Sequence, residues 1–192
     1  MRSCKSGRKP RWRRVLRRFG KNKDGVAAIE MALVAAPFIA VIFAILETGV
    51  VYFSEFALER KVAEVGRLIR TGQVDESNTG LQTFKTTMCR DISVLFDCDK
   101  LVVDVRSFAD FEALQDAGLP NPVDAGGKLQ SLSSWSTGEQ LDVVVVRAFY
   151  EWNLLGPSAI TQMSNLTEGK RLISASVSFR NEAFGTIQAP GG

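Results

Sequence analysis

The chain has 192 residues, 45% of them hydrophobic, and a formal net charge of +3; that is enough for one ordinary domain with appendages and too little for two. It contains no histidine, which excludes histidine general bases, histidine-dependent triads and histidine metal sites. Its three cysteines exclude a disulfide-dense mini-protein and a four-cysteine zinc site.

The near-neutral total hides a split along the chain. Residues 1–25 carry eleven Lys or Arg against one acid, Asp24, while the remainder carries 13 basic and 20 acidic side chains. This is the pattern of a basic tail on an acidic protein. Next comes Met31 to Leu46, sixteen residues without a charge, inside a 28-residue apolar stretch, Val26 to Phe53, broken only by Glu30 and Glu47. As a helix that stretch is about 42 Å long, ample for a hydrocarbon core of about 30 Å. A buried core helix is the competing reading, but no other segment is apolar enough to surround it. The positive-inside rule places the basic N-terminus in the cytoplasm and the acidic remainder outside.

An ordinary secretory signal shares the basic and apolar regions but not the cleavage site. The best small-residue candidate, Val34-Ala35-Ala36, is followed by Pro37 inside the apolar run. A different site stands before the run, where Gly25 precedes Val26 and Glu30 lies five residues beyond the glycine. A carboxylate there is costly in a membrane. A cut after Gly25 would give Val26 a free ammonium group, and Glu30 could then pair with that amine on a neighbouring subunit. Class III signal peptides of type IV pilins follow this logic. Alanines at 28, 32, 36, 40 and 44 (Ala28, Ala32, Ala36, Ala40, Ala44) form a small-xxx-small series that permits close helix approach. The series drifts by about 40° per step from helical periodicity, and alanine is common in membrane helices, so both readings stand. Pro37 lacks the N–H that would bond to residue 33 and is expected to loosen the helix.

The run Lys23-Asp-Gly-Val-Ala-Ala-Ile-Glu-Met-Ala-Leu-Val-Ala-Ala-Pro37, with Ile45-Leu-Glu-Thr-Gly49 after it, resembles the N-terminus of the TadE/TadG-like family, pilin-like proteins of the tight-adherence (Tad, or Flp) pilus system. The family usually has an aromatic residue after the glutamate, where this chain has Met31. The similarity continues loosely through Cys89 to Cys98, Lys100 to Arg106 and the ending Phe179 to Phe184. The resemblance implies a role in pilus biogenesis, with a prepilin peptidase, other pilin-like subunits and the Tad platform proteins as partners.

Beyond Ser54 the pattern becomes amphipathic. Leu58, Val62, Val65 and Ile69 recur at helical spacing, with Glu55, Glu59, Arg60, Lys61, Glu64, Arg67 and Arg70 on other faces, so the helix is expected to continue to Arg70 and to end at Thr71-Gly72. Leu81 to Leu95 predicts one or two short helices. Lys100–Phe108 and Leu141–Trp152 predict strands, the second buried on both faces through Val143 to Val146. Gly156 to Leu166 suits a short helix. Arg171–Phe179 predicts an amphipathic strand, with Leu172, Ser174, Ser176 and Ser178 opposite Ile173, Ala175, Val177 and Phe179. Residues 116–140 predict one long loop.

The expected fold is therefore α+β, a long membrane-spanning helix continuing into a small antiparallel-sheet domain, as in pilin-like proteins. Its parts are a basic leader (1–25), a span (26–53), a helix continuation (54–72) and an extracytoplasmic domain (73–192). Cys89 and Cys98, separated by eight residues in an oxidising compartment, predict a disulfide worth about 2–3 kcal/mol. Two free buried thiols are the alternative. Cys4 would stay cytoplasmic and reduced.

Chemistry-bearing clusters are few. Asp97, Asp99 and Asp104 lack the calcium-loop spacing and read as a solvated loop and strand edge. Asn165-Leu-Thr167 fits a glycosylation sequon but reads as incidental in a bacterial system. Trp135, Tyr150 and Trp152 read as core or subunit-contact aromatics. The Arg-rich leader reads as topology control rather than nucleic-acid binding. No metal site, cofactor or small-molecule substrate is expected. Three readings result. The leading one is a minor pilin or pseudopilin, set in the bacterial inner membrane and in contact with its lipid, and cut after Gly25. The second is an uncleaved single-pass anchor whose outer domain binds another envelope protein. The third is a membrane-tethered enzyme, disfavoured by the missing histidine and nucleophile motifs.

Overall fold

The computed structural model describes residues 25–156 and 162–183. Residues 1–24 of the expected leader lie outside them, as do residues 157–161 of the helix expected over Gly156–Leu166. The chain divides into two units, Met1–Phe43 and Ala44–Gly192. Helix α1, Val26–Arg70, is 45 residues long and contains Pro37. In the first unit its large side chains are exposed, Leu33 at 71% and Phe38 at 65%. Its most apolar window has a mean hydropathy of 2.5, so α1 is long and apolar enough to cross a membrane.

In the second unit α1 buries Val51, Ser54, Leu58, Lys61, Val62, Val65, Gly66 and Ile69. Steps of three and four keep these residues on one stripe. The helix stops where expected: Gly72 takes φ 70° and its N–H donates to the Ile69 carbonyl at 2.9 Å, a left-handed residue past the helix end that glycine adopts without strain. Helix α2, Leu81–Arg90, buries Phe84, Met88 and Cys89. A 3-10 turn, Cys98–Lys100, takes the start of the strand expected at Lys100, because the Asp97 carboxylate accepts the Asp99 N–H and folds the chain there.

The sheet has three antiparallel strands in the order β1-β2-β3: β1 Val102–Phe108, β2 Val143–Asn153 and β3 Lys170–Arg180. Val146 sits opposite Val105 on one side and Val177 on the other. One face of β2, with Val144, Val146, Ala148 and Tyr150, joins the core with Leu58, Val62, Phe84 and Phe96. The other face is covered by the connection from β1 to β2, through the Pro120 carbonyl on Arg147 and the Leu129 N–H on Glu151. Val143 to Tyr150 are accordingly all buried.

That connection departs from the expected plain loop. Helix α3, Phe111–Ala117, overlaps its start, capped by the Asp110 side chain on the Ala113 N–H. Farther on, the Val105 N–H donates to the Ser134 carbonyl at 2.9 Å and the Ser136 N–H to the Val105 carbonyl at 3.0 Å, so this segment covers the outer edge of β1. At the other end of the expected Gly156–Leu166 helix, residues 162–165 are not helical.

Candidate membrane anchor and assembly site

The N-terminal candidates lie together at the start of α1. Gly25 has no atom within 4 Å of where a side chain would begin, Val26 is 48% exposed, and Glu30 is exposed. The described residues thus leave the start of α1 uncovered. Ala28, Ala32 and Ala36 are exposed, and Ala40 and Ala44 half-buried. An apolar surface of this extent without protein cover suits lipid or other helices rather than water.

The second acidic interruption of the apolar run is engaged. The Glu47 carboxylate accepts the backbone N–H of Gly156 at 2.8 Å and that of Leu155. Thr48 donates its hydroxyl to the Ala44 carbonyl at 2.8 Å, and farther along α1 Glu55 pairs with Arg171 at 2.8 Å. The start of the β2–β3 connection and the start of β3 are thus tied to α1 at two points about two turns apart. Spacing along the sequence does not reveal Glu47's partners, which lie 108 and 109 residues away; its one sequence signal is a charge closing an apolar run.

Cys89 and Cys98 form a disulfide with Cα atoms 5.7 Å apart. The loop it closes is held against the sheet, since the Tyr150 hydroxyl accepts the Asp97 N–H at 3.3 Å and Phe96 stacks edge-on against Tyr150 at 5.0 Å. Tyr150 belongs to the core, with Trp135 and Trp152 packed against it.

Asp104 corrects the solvated-edge expectation. Its side chain is fully buried, because the β1–β2 connection covers that face of the sheet. It accepts Arg147 Nε at 3.2 Å, Arg106 Nε at 3.1 Å and the Ser134 N–H at 3.2 Å. Burial pushes its carboxyl up, but the two guanidinium groups outweigh that and hold it below its ordinary value. Lys61, also buried, is depressed by desolvation and raised more strongly by Asp91 and Glu64, so its net displacement is upward. Both sites read as structural. Among the described residues no group of three His, Cys, Asp or Glu side chains converges to hold a metal.

The segment that begins at Gly25 and follows α1 also carries the family signal. Residues 25–69 match the family model of TadE-like proteins, in agreement with the resemblance read from the sequence. No curated protein and no solved structure matches the chain.

Proposed function

We propose that the chain is a TadE-like minor pilin or pseudopilin that takes part in assembling a Tad (Flp) pilus. The observation that carries this reading is the position of the TadE-like match, which starts on Gly25, directly before an apolar helix whose first turns are exposed. In this reading residues 1–25 are a cytoplasmic leader removed by a prepilin peptidase, residues 26–53 span the bacterial inner membrane, and residues 54–72 continue the helix. Residues 73–192 form the domain on the outer side. Other pilin-like subunits and the Tad platform proteins are the partners, and the role is structural rather than catalytic.

The test is the N-terminus of protein extracted from membranes. Sequencing or intact mass should place it at Val26, and Gly25→Leu should abolish the cut. Met1 or Arg2 retained in cells with an active peptidase would overturn the reading and leave an uncleaved anchor.

Glu30 has an assembly role in the same reading. A carboxylate near the start of a membrane helix costs less than the roughly 2.5–3.5 kcal/mol of the helix centre, and the ammonium group of a neighbour's Val26 offsets that cost. Glu30→Gln keeps the shape and removes the charge. The variant should insert, be cut and form its disulfide, yet fail to crosslink to pilin-like partners. Wild-type levels of pili built with it would reject the pairing.

A further inference from the structure

The two edges of the sheet are treated differently. The outer edge of β1 is paired with residues 134–136 through Val105. On β3 the outward backbone groups are those of even-numbered residues: the Lys170 carbonyl accepts the Leu166 N–H at 3.1 Å and the Leu172 N–H donates to the Asn165 side chain at 2.6 Å. Alternation along the strand makes Ser174, Ser176 and Ser178 the next residues facing away from β2, and all three are exposed. No hydrogen bond from their outward backbone groups occurs among the described residues. Leu172 to Phe179 contains no charge and no proline, and its pairing with β2 runs without a bulge. These are the devices by which proteins usually blunt an edge, and here they are missing.

We infer that the outer edge of β3 pairs in parallel with the β3 edge of a second copy of this chain anchored in the same membrane. The inference rests on the proposed reading in one respect, that α1 spans the membrane with one orientation. The direction follows from contacts within the second unit. Arg171 meets Glu55, Val177 and Phe179 meet Gly66, and the Glu182 N–H donates to the Arg70 carbonyl at 3.0 Å. Strand β3 therefore runs in the same direction as α1. Antiparallel pairing of two copies would turn one helix head-down, which copies inserted from the same side cannot do. Parallel pairing through the same edge keeps both helices upright, on opposite faces of the joined sheet. Charge permits the approach, because Lys170 is paired with Glu151 and Glu168 and Arg171 with Glu55. Two copies therefore meet with these cations already neutralised and with small side chains at the centre. Backbone hydrogen bonds supply the contact, as in other cases of strand addition.

Two differently tagged full-length copies, co-expressed and solubilised from membranes in mild detergent, should co-isolate. Ser176→Pro removes an N–H that β2 does not use, and Ser176→Lys places a charge on the edge; each should lower co-isolation about tenfold or more. In both variants the Cys89–Cys98 bond should still form, and Ser176→Lys decides the matter if the proline variant does not fold. Membrane-embedded wild-type copies that do not co-isolate, or co-isolation unmoved by the lysine, would overturn the pairing while leaving the anchor intact. Recovery of the chain from the soluble fraction would overturn the anchor, and the parallel sense with it. In a Cys4→Ser background, Ser176→Cys should give no disulfide-linked dimer, since equal residues then face opposite sides of the joined sheet. An efficient dimer would mean antiparallel pairing and overturn the proposal.

Discussion

From Met31 to Leu46 helix α1 carries no charge, and large side chains such as Leu33 and Phe43 are exposed. From Ser54 to Ile69 the same helix alternates charged and apolar residues, and Leu58, Val62, Val65 and Ile69 are buried against the sheet and α2. The backbone geometry is common to both halves; the surroundings are not. A helix that is apolar all round belongs in a medium as apolar as itself, whereas one with a single apolar stripe belongs against a protein core. The boundary lies between Glu47 and Ser54, where hydrogen bonds to the β2–β3 connection begin and buried residues first recur.

Substitutions in the two environments should separate them. The largest effect is expected at Asp104 in the second unit. Asp104→Asn leaves Arg147, itself 8% exposed, as an unpaired buried cation and should cost about 3–5 kcal/mol in denaturant unfolding of that unit. The pH dependence gives an independent check. The Asp104 carboxyl is held below its ordinary value by Arg147 and Arg106, so its stabilisation is complete above the unfolded carboxylate pKa of about 4 and is lost as pH falls through the folded value. The stability gap between wild type and variant should narrow on acidification through that range. A gap independent of pH would mean that the cost is one of packing.

The next effect sets the halves of α1 directly against each other. Leu58→Ala should destabilise the second unit by about 2–5 kcal/mol through the cavity it leaves. Leu46→Ala, in the exposed half, should leave the same unfolding curve in place. Equal losses at both positions would erase the distinction between the two surroundings.

A smaller effect is expected at the disulfide. Cys89→Ser or Cys98→Ser should lower the stability of the second unit by about 2–3 kcal/mol and release a reactive thiol. Denatured, unreduced protein in which Cys89 and Cys98 already react as thiols would remove the bond from the account.

Much of this architecture is readable in the chain because the signals are periodic. Leu58, Val62, Val65 and Ile69 repeat with the helix, and Ile173, Ala175, Val177 and Phe179 with the strand, so burial follows from spacing. The stop at Arg70 is readable because Thr71-Gly72 is a local signal. Helix α3 escapes notice because seven residues are too few for a period to declare itself. The chain alone places Asp104 at a solvated edge because its partner Arg147 lies 43 residues away and the segment that covers both has no regular pattern. Glu47 is conspicuous as a charge, but its role depends on backbone groups donated by a distant turn. Local periodicity thus reveals elements, whereas polar contacts between elements become visible only once the chain has folded.

One small contact has a mechanical consequence. A side chain at Gly66 would begin 2.9 Å from Val177 Cγ1 and 3.0 Å from Phe179 Cε1, so the helix is seated in a notch of the sheet that only hydrogen fits. Sliding α1 by one turn, about 5.4 Å along its axis, would bring Val62 or Arg70 to that notch, and either would jam against β3. An axial load on the helix is therefore passed to the strands as shear instead of being relieved by slippage.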